Sequence, residues 1–492
     1  MFTPNFEEFK KLAKKGNVIP VYKEINVDLD TPVSAFLKLK KSDYAFLLES
    51  VEGGEKIARY SFLGSNPSMI FSSKDNNIQV IYPGKNIKDC FITRSTPLDE
   101  LKKIMRDFRS VSVKGLPRFY GGLVGYIGYD MVRFFEDIPD KNPDDLKLAD
   151  SVFFLTDTIL IFDHVNHLIK IVSNVFLPQK KGLLVSALKK YYNRALKQIE
   201  EIEKDFNKPQ AAPPLENNKV MPKSAVKSNF SKKEFTGIVS RAKEYIRRGD
   251  VIQVVLSQRF QLKTSRDAFD IFRSLRSINP SPYMYFLKLK DIEIVGSSPE
   301  MLVRCEDGLI QTRPIAGTRP RGKNDIEDER LSEELLKDKK ERAEHLMLVD
   351  LGRNDLGRVS QIGKVKVSEF MSVEKYSHVM HLVSEVRGKL DNKRYDIYDV
   401  LKAAFPAGTL SGSPKIRAME IIDELENVKR GPYGGAIGYF SFSHNMDTCI
   451  TIRTIVIKGN TAYIQAGAGI VADSLPEKEY QETVNKAKAL IE

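Results

Sequence analysis

Four glutamates stand in two pairs at a spacing of three, Glu341-Arg-Ala-Glu344 and Glu479-Tyr-Gln-Glu482. Carboxylates at i and i+3 share one face of a helix, and both pairs lie in runs of helix formers, Ile326 to Leu348 and the stretch from Pro476 to Leu490. Two such helices could give a Mg²⁺ ion hard oxygen ligands, directly or through waters. Taken alone, such pairs usually read as solvated helix faces; their position beside the segments below is what points to a cation. Three other segments attract the opposite charge. Thr312-Arg-Pro-Ile-Ala-Gly-Thr-Arg-Pro-Arg-Gly322 gathers backbone N–H groups, hydroxyls and guanidinium donors, a set suited to a carboxylate or phosphate. Gln465-Ala-Gly-Ala-Gly469 follows an apolar strand, and its glycines let main-chain amides approach an anion. Gly408-Thr-Leu-Ser-Gly-Ser-Pro-Lys-Ile-Arg417 puts Ser413 at an N-cap and Pro414 at the first helical position, so a helix N-terminus points nearby. Any one of these could be a structural loop; their positive ends converge on a small dianion.

The elements that must hold these groups are legible in outline. From Leu183 to Phe206 apolar residues recur at helical spacing. Residues 207–229 are rich in Pro, Asn and Lys without periodicity and read as a linker between a unit over 1–206 and a unit over 230–492. Ser231-Lys-Lys-Glu234 is a capping box; the helix it opens has a stripe from Phe235 to Ile246 and stops at Gly249, before a strand over Val251–Leu256.

The two units echo each other. Tyr120-Gly-Gly-Leu-Val-Gly-Tyr126 matches Tyr433-Gly-Gly-Ala-Ile-Gly-Tyr439, and Gly64-Ser-Asn-Pro-Ser-Met69 matches Gly296-Ser-Ser-Pro-Glu-Met301, each after a Phe-Leu strand (Phe46-Leu47, Phe286-Leu287). Asp157-Thr-Ile-Leu-Ile-Phe162 and Asp447-Thr-Cys-Ile-Thr-Ile452 give a third match. Two related β-rich units that pack on one another are expected. The second has an insertion, Gly322 to Arg430, that reads mainly as helix, and it has Glu300 where the first has Ser68. Chemistry that needs that carboxylate belongs to the second unit alone.

Composition excludes whole classes. The chain has 492 residues, 42% apolar and 29% charged, which is ordinary globular composition with ample material for a core. Cys90, Cys305 and Cys449 are widely spaced; a disulfide scaffold or zinc site is not expected, and a reducing cytoplasmic setting fits. The N-terminus lacks the apolar core of a signal peptide, and no apolar run is long enough for a membrane span. The net charge of +12 is spread over mixed-charge stretches such as Lys180 to Lys204, with no zinc-finger spacing or dense basic arm, so no nucleic-acid partner is expected. A small anionic substrate accounts better for the surplus.

Pro-Ile-Ala-Gly-Thr-Arg-Pro-Arg-Gly (314–322), Glu-His-Leu-Met-Leu-Val-Asp-Leu-Gly-Arg-Asn-Asp-Leu (344–356), Ser-His-Val-Met-His-Leu-Val (377–383), Gly-Thr-Leu-Ser-Gly-Ser-Pro-Lys (408–415), Asp-Thr-Cys-Ile-Thr-Ile-Arg (447–453) and Gln-Ala-Gly-Ala-Gly (465–469), in this order, closely resemble the chorismate-utilising enzymes, and among them the large subunits of anthranilate synthases. The resemblance spans essentially the whole chain. It implies an α+β fold in which two related units form a large antiparallel β-sandwich surrounded by helices. It also implies a reaction in which ammonia adds to chorismate, the ring hydroxyl leaves, and the aminated ring loses pyruvate to become anthranilate, the entry to tryptophan synthesis. Relatives that add water carry a lysine at the place of Gln253, and relatives that make aminodeoxychorismate often carry one at the place of Ala316. Ammonia needs neither lysine. An aminodeoxychorismate synthase of the folate route, and a non-catalytic protein that binds chorismate or tryptophan, are the alternative readings.

By the same resemblance, Glu344 and Glu482 would hold Mg²⁺ against the ring carboxylate, with Glu341 and Glu479 holding its waters. Glu300 would protonate the departing hydroxyl, and His381 would serve pyruvate elimination. Arg453 and Tyr433 would grip the enolpyruvyl carboxylate. Gly317, Thr318, Thr409, Gly467, Ala468 and Gly469 would complete the chorismate cradle. Leu48, Glu49 and Ser50 from one unit, with Pro282, Tyr283 and Met284 from the other, would form a feedback pocket for L-tryptophan. His345 and His378 read as packing residues. No cysteine has the context of a nucleophile elbow, so a partner glutamine amidotransferase subunit is expected to supply the ammonia.

Overall fold

The computed structural model describes residues 1–26, 30–39, 42–50, 59–178, 182–206, 208, 226–376 and 379–491. Among them, the strands form two large sheets, one of thirteen strands and one of twelve, whose named pairs are antiparallel. The strands between the two sheets are buried on both faces, so they read as continuous apolar runs. In Tyr44–Glu49 the side chains alternate: Phe46 faces the core between the sheets, while Ala45 and Leu47 face a second core under the outer helices. In Tyr283–Leu289, Tyr285 and Leu287 face inward while Met284 and Phe286 face the helices. There Phe286 meets Phe36 of helix Pro32–Leu39 and Phe269 of helix Ala268–Ile278 edge-on, with ring centroids 5.4 and 5.2 Å away, and Phe36 and Phe269 lie 4.6 Å from each other. Such pairs add about 0.5–1.5 kcal/mol each beyond the area they bury.

The two sequence units do not stack face to face. They join edge to edge, and each supplies one side of both sheets. In the first sheet the seam is Tyr44–Glu49 against Tyr283–Leu289, with Phe46 opposite Leu287 and Leu47 opposite Phe286. In the second it is Gly122–Ile127 against Ala436–Ser441. The Phe-Leu strands and the Tyr-Gly-Gly segments that echo in sequence thus pair across an approximate two-fold axis, and the Gly64 and Gly296 segments begin in the next strand out on either side, Tyr60–Ser65 and Ile292–Ser298. The third echo does not follow this symmetry. Asp157 precedes a strand of the first sheet, Thr158–Asp163, whereas Asp447 lies within Met446–Ile450 of the second. An Asp-Thr-apolar pattern starts strands of either sheet, so that match is withdrawn.

Local expectations fare as follows. The helix Val185–Phe206 forms, and so does the capping box of Ser231 and Glu234 at the start of Lys232–Arg247. The proposed linker lies mostly outside the described residues; its end, Lys227–Ser228, is a short strand paired with Phe260 and Gln261. The insertion holds the helices Asp325–Lys337, Lys339–Gly357, Ile397–Ala404 and Lys415–Leu425, but also a hairpin, Lys366–Lys375 with Val379–Lys389. The first hairpin strand mixes charged, hydroxyl and apolar residues and has no buried member, so it lacks the apolar run that would announce it. Gln465–Gly469 lies inside the strand Thr461–Ile470 rather than after it. Among the described residues no helix is long and apolar enough to cross a membrane.

Candidate active site

The chain changes sheets twice at one place. It leaves the first sheet after Ile292–Ser298 and enters the second at Met301; it leaves the second after Met446–Ile450 and returns to the first at Thr454. The crossings are laced together: the Ile450 N–H donates to the Glu300 carbonyl (3.0 Å), the Ser297 N–H to the Arg453 carbonyl (3.1 Å), and Ser298 Oγ to the Ile450 carbonyl (2.7 Å). Glu300 and Arg453 are thereby set in the gap between the sheets. Arg453 has φ +51°, a conformation that costs a non-glycine residue about 1 kcal/mol or more and that clusters at functional sites. Its burial lowers the guanidinium pKa from the ordinary value, and among the described residues no carboxylate forms an ion pair with it. Glu300 is 7% exposed, and burial raises its carboxyl to about 8 against the pull of a hydrogen bond from Thr409 Oγ1 at 3.2 Å. A buried carboxyl that stays protonated near neutrality is a general acid.

His381 lies on the hairpin strand Val379–Lys389, opposite Thr318. A bulge at Gly317 (φ +68°) turns that carbonyl toward the ring, and His381 Nδ1 is 2.9 Å from the Gly317 oxygen. A carbonyl only accepts, so Nδ1 carries the proton and Nε2 is left as the base. Burial and the nearby Arg453 lower the ring's pKa, keeping it neutral. Tyr376 meets the ring edge-on at 5.6 Å.

The cradle closes from the other side. Strand Thr461–Ile470 pairs with Gln253–Lys263 along its length, but with Thr454–Lys458 only up to Ile464; from Gln465 onward its second edge has no strand partner among the described residues. Gly467 sits where an added Cβ would be 2.7 Å from the Tyr433 hydroxyl, and Gly469 where it would be 2.4 Å from Gln253 Nε2. A side chain at either position would displace those groups. Tyr433 is held by Arg430, whose guanidinium lies 5.6 Å from its ring and pairs with Glu426 at 2.6 Å. Gln253 Nε2 donates to Glu344 at 3.4 Å, and its Oε1 is buried without a partner. The 408–417 segment is shifted by one residue from expectation. Pro414 occupies the cap of Lys415–Leu425 and Ser413 pairs with Gln253 instead, because a bridge to the neighbouring strand claims its backbone.

Glu341 and Glu344 on Lys339–Gly357 share a field with Glu479 and Glu482 on Pro476–Ile491. Burial and the charges of Glu341 and Glu482 raise the Glu344 pKa, and burial with Glu482 raises that of Glu479. Among the described residues, no three His, Cys, Asp or Glu side chains form a metal-ligating group. Glu341 leans on Arg319 at 3.3 Å and Glu482 on Lys486 at 2.6 Å. The donor set nevertheless fits a hard divalent cation: carboxylate oxygens from two helices whose mutual repulsion a cation would relieve.

The two halves of the expected effector pocket meet. Leu48, Glu49, Ser50, Pro282, Tyr283 and Met284 all line one cavity of about 120 Å³ at the seam of the units. Its polar wall is a network in which Asp447 takes Arg304 at 2.8 Å, Arg118 at 3.3 Å and the Tyr283 hydroxyl at 3.0 Å. Glu49 is anchored by Arg276 at 3.0 Å. Ser50 Oγ is buried without a partner among the described residues.

Sequence reasoning missed Lys486. It stands one turn after Glu482, its Nζ is 2.9 Å from the Gly467 carbonyl, and it lines an open cavity with Arg453 and Glu482. The signal was the i, i+4 spacing from a glutamate already singled out. His345 is fully buried with Nε2 2.7 Å from Ser384 Oγ, and His378 lies outside the described residues.

A family model described as chorismate binding enzyme matches residues 43–492. Similar proteins include anthranilate synthase component 1 of Acetivibrio thermocellus, 49% identical over 100% of this chain and 98% of that one, and of Aquifex aeolicus, 50% identical over 99% and 97%. A crystal structure of anthranilate synthase component I from Streptococcus pneumoniae is 38% identical, covers 95% of this chain and 99% of its own, and superposes with a TM-score of 0.75. The menaquinone-specific isochorismate synthase of Escherichia coli shares the fold at 19% identity and a TM-score of 0.70, covering 100% of this chain and 99% of its own.

Proposed function

The chain belongs to the chorismate binding enzymes, and on that footing we propose that it is the aminating subunit of an anthranilate synthase, converting chorismate and ammonia to anthranilate and pyruvate in the cytoplasm. The observation that carries this reading is the pair of hydrogen-bonded sheet crossings, one holding a buried, protonated Glu300 and the other the half-buried Arg453, which has no carboxylate ion-pair partner among the described residues. One group is an acid in wait of a poor leaving group; the other is a cation in wait of a carboxylate.

Arg453, with its fork of donors, Lys486 and the Tyr433 hydroxyl take the enolpyruvyl carboxylate. The backbone of Gly317, Thr318, Gly467, Ala468 and Gly469, with the Thr409 hydroxyl, shapes the cradle and excludes water. Glu344 and Glu482 would hold Mg²⁺ and Glu341 and Glu479 its waters; bound there, the cation orients the ring carboxylate and withdraws electron density from the ring. Glu300 gives its proton to the C4 hydroxyl as ammonia adds at C2. His381, neutral and with Nε2 free to accept, handles the proton lost when pyruvate leaves and the ring becomes aromatic. Gln253 offers an amide where a water-activating lysine would be needed for a hydroxyl product. Ammonia reaches the site from a glutamine amidotransferase subunit, and L-tryptophan in the seam cavity inhibits.

The test is direct. The chain with chorismate, Mg²⁺ and ammonium at alkaline pH should produce the fluorescence of anthranilate. A product that retains its enolpyruvyl ether would replace this reading with aminodeoxychorismate synthesis, and no turnover would leave a binding protein.

A further inference from the structure

We propose that Asp355 and Lys415 form a proton supply for Glu300, connected to it by a water-holding crevice beneath helix Lys339–Gly357. The inference rests on the reading of Glu300 as the acid that protonates the departing hydroxyl. Glu344, Leu348, Leu351 and Asp355 follow each other along one face of that helix. Under this face lies a crevice of about 40 Å³ with Glu300, Thr409, Thr312 and Asp355 among its walls. At roughly 15 Å³ per water that is room for two or three molecules, with four polar side chains to hold them. Asp355 Oδ2 is 2.8 Å from Lys415 Nζ, on the neighbouring helix Lys415–Leu425, and the two side chains keep 15% and 13% exposure. Glu300 is deeper.

Burial raises the pKa of Asp355 as it does that of Glu300. The charged groups facing Asp355 are Lys415 and Arg358, and Arg358 is itself 3.4 Å from Glu136. A tie between two helices would need only the ion pair. The crevice that carries Asp355, Thr312 and Thr409 to the catalytic acid between otherwise largely apolar walls is what such a tie leaves unexplained.

The proton balance requires a supply. As the C2–N bond forms, the C4–O bond breaks; its electron pair leaves on oxygen, which takes the Glu300 proton and departs as water. Glu300 is left a carboxylate, while the added nitrogen, now positive, loses a proton to solvent. Asp355 takes a proton from bulk water at the Lys415 end and passes it to Glu300 through crevice water. No net proton is consumed.

Reloading follows the first turnover, and this separates the proposal from a structural defect. In rapid-quench assays with chorismate, Mg²⁺ and ammonium, Asp355→Asn should form about one equivalent of anthranilate per site at the unsubstituted rate. It should then slow by about tenfold or more. Asp355→Glu should restore the steady rate. Lys415→Gln, which leaves the carboxyl in place, gives a second route to the same burst if Asp355→Asn does not fold. Equal slowing of first and later turnovers, or no slowing, would overturn the proposal. Glu300→Gln distinguishes the premise: it should abolish the burst itself, and an active Glu300→Gln enzyme would sink the acid assignment and not merely its supply.

Discussion

Gly125 and Gly438 face each other in register at the centre of the seam between Gly122–Ile127 and Ala436–Ser441. They are the same position of the repeated Tyr-Gly-Gly-x-x-Gly-Tyr segment, so the two-fold relationship passes between them. A Cβ on Gly125 would stand 1.9 Å from the Val152 carbonyl oxygen, and one on Gly438 2.0 Å from that of Asp447. Backbone cannot yield as a flexible side chain can. Gly438→Ala should therefore cost at least about 3 kcal/mol, read as a lower denaturation midpoint or loss of folded protein.

Glu300 sets a pH dependence of stability as well as rate. Its folded pKa of about 8 lies above the ordinary 4.5, so folding favours the protonated form. That contribution is complete below about pH 4.5 and is lost as pH rises through 8. Glu300→Gln should be stabilised relative to the parent at pH 8 and above while its turnover falls about 10²–10⁴-fold. Denaturation and initial-rate series at fixed free ammonia, run side by side, check both.

Removal of Mg²⁺ by a chelator should abolish turnover. Glu479→Gln, at a position assigned to the cation's waters, should weaken the apparent Mg²⁺ affinity roughly 10–100-fold; Glu344→Gln should weaken it more. Calorimetric titration in the presence of chorismate and the Mg²⁺ dependence of the rate give independent readings. Unchanged affinity in both variants would remove the cation from these helices.

Ser50→Phe fills part of a cavity of only about 120 Å³. Inhibition by L-tryptophan should be relieved by an order of magnitude or more, with turnover in its absence within about twofold, because Ser50 touches none of the chorismate cradle. Inhibition that persists would move the effector elsewhere.

His345 is buried beside Ser384, and burial lowers its pKa to about 4. The unfolded chain binds a proton there below about 6.5 that the folded chain refuses until 4, so stability falls as pH drops through that window, by up to about 3 kcal/mol. His345→Gln should flatten the slope between pH 4 and 6.5 while costing some stability at pH 7.

The legible parts of this protein are those written in local pattern. Helix caps, the Gly-rich seam strands and the paired glutamates declare themselves by spacing, and Phe46-Leu47 and Phe286-Leu287 pair as their echo suggests. The hairpin that carries His381 was hidden because one of its strands is half polar and exposed. Lys486 was overlooked because its role depends on the Gly467 carbonyl, nineteen positions back in the chain. The side-by-side crossings that place Glu300 with Arg453 join segments about 150 residues apart, which no spacing rule reaches.

Strand Met446–Ile450 has an end in each chamber: Asp447 and Cys449 border the seam cavity, while Ile450 borders the crevice at Glu300 and leads in three residues to Arg453. At about 3.3 Å per residue, the six steps from Asp447 to Arg453 span at most about 20 Å of backbone. Whatever factor the amino acid takes from the hold on chorismate, chorismate must take from the hold on the amino acid.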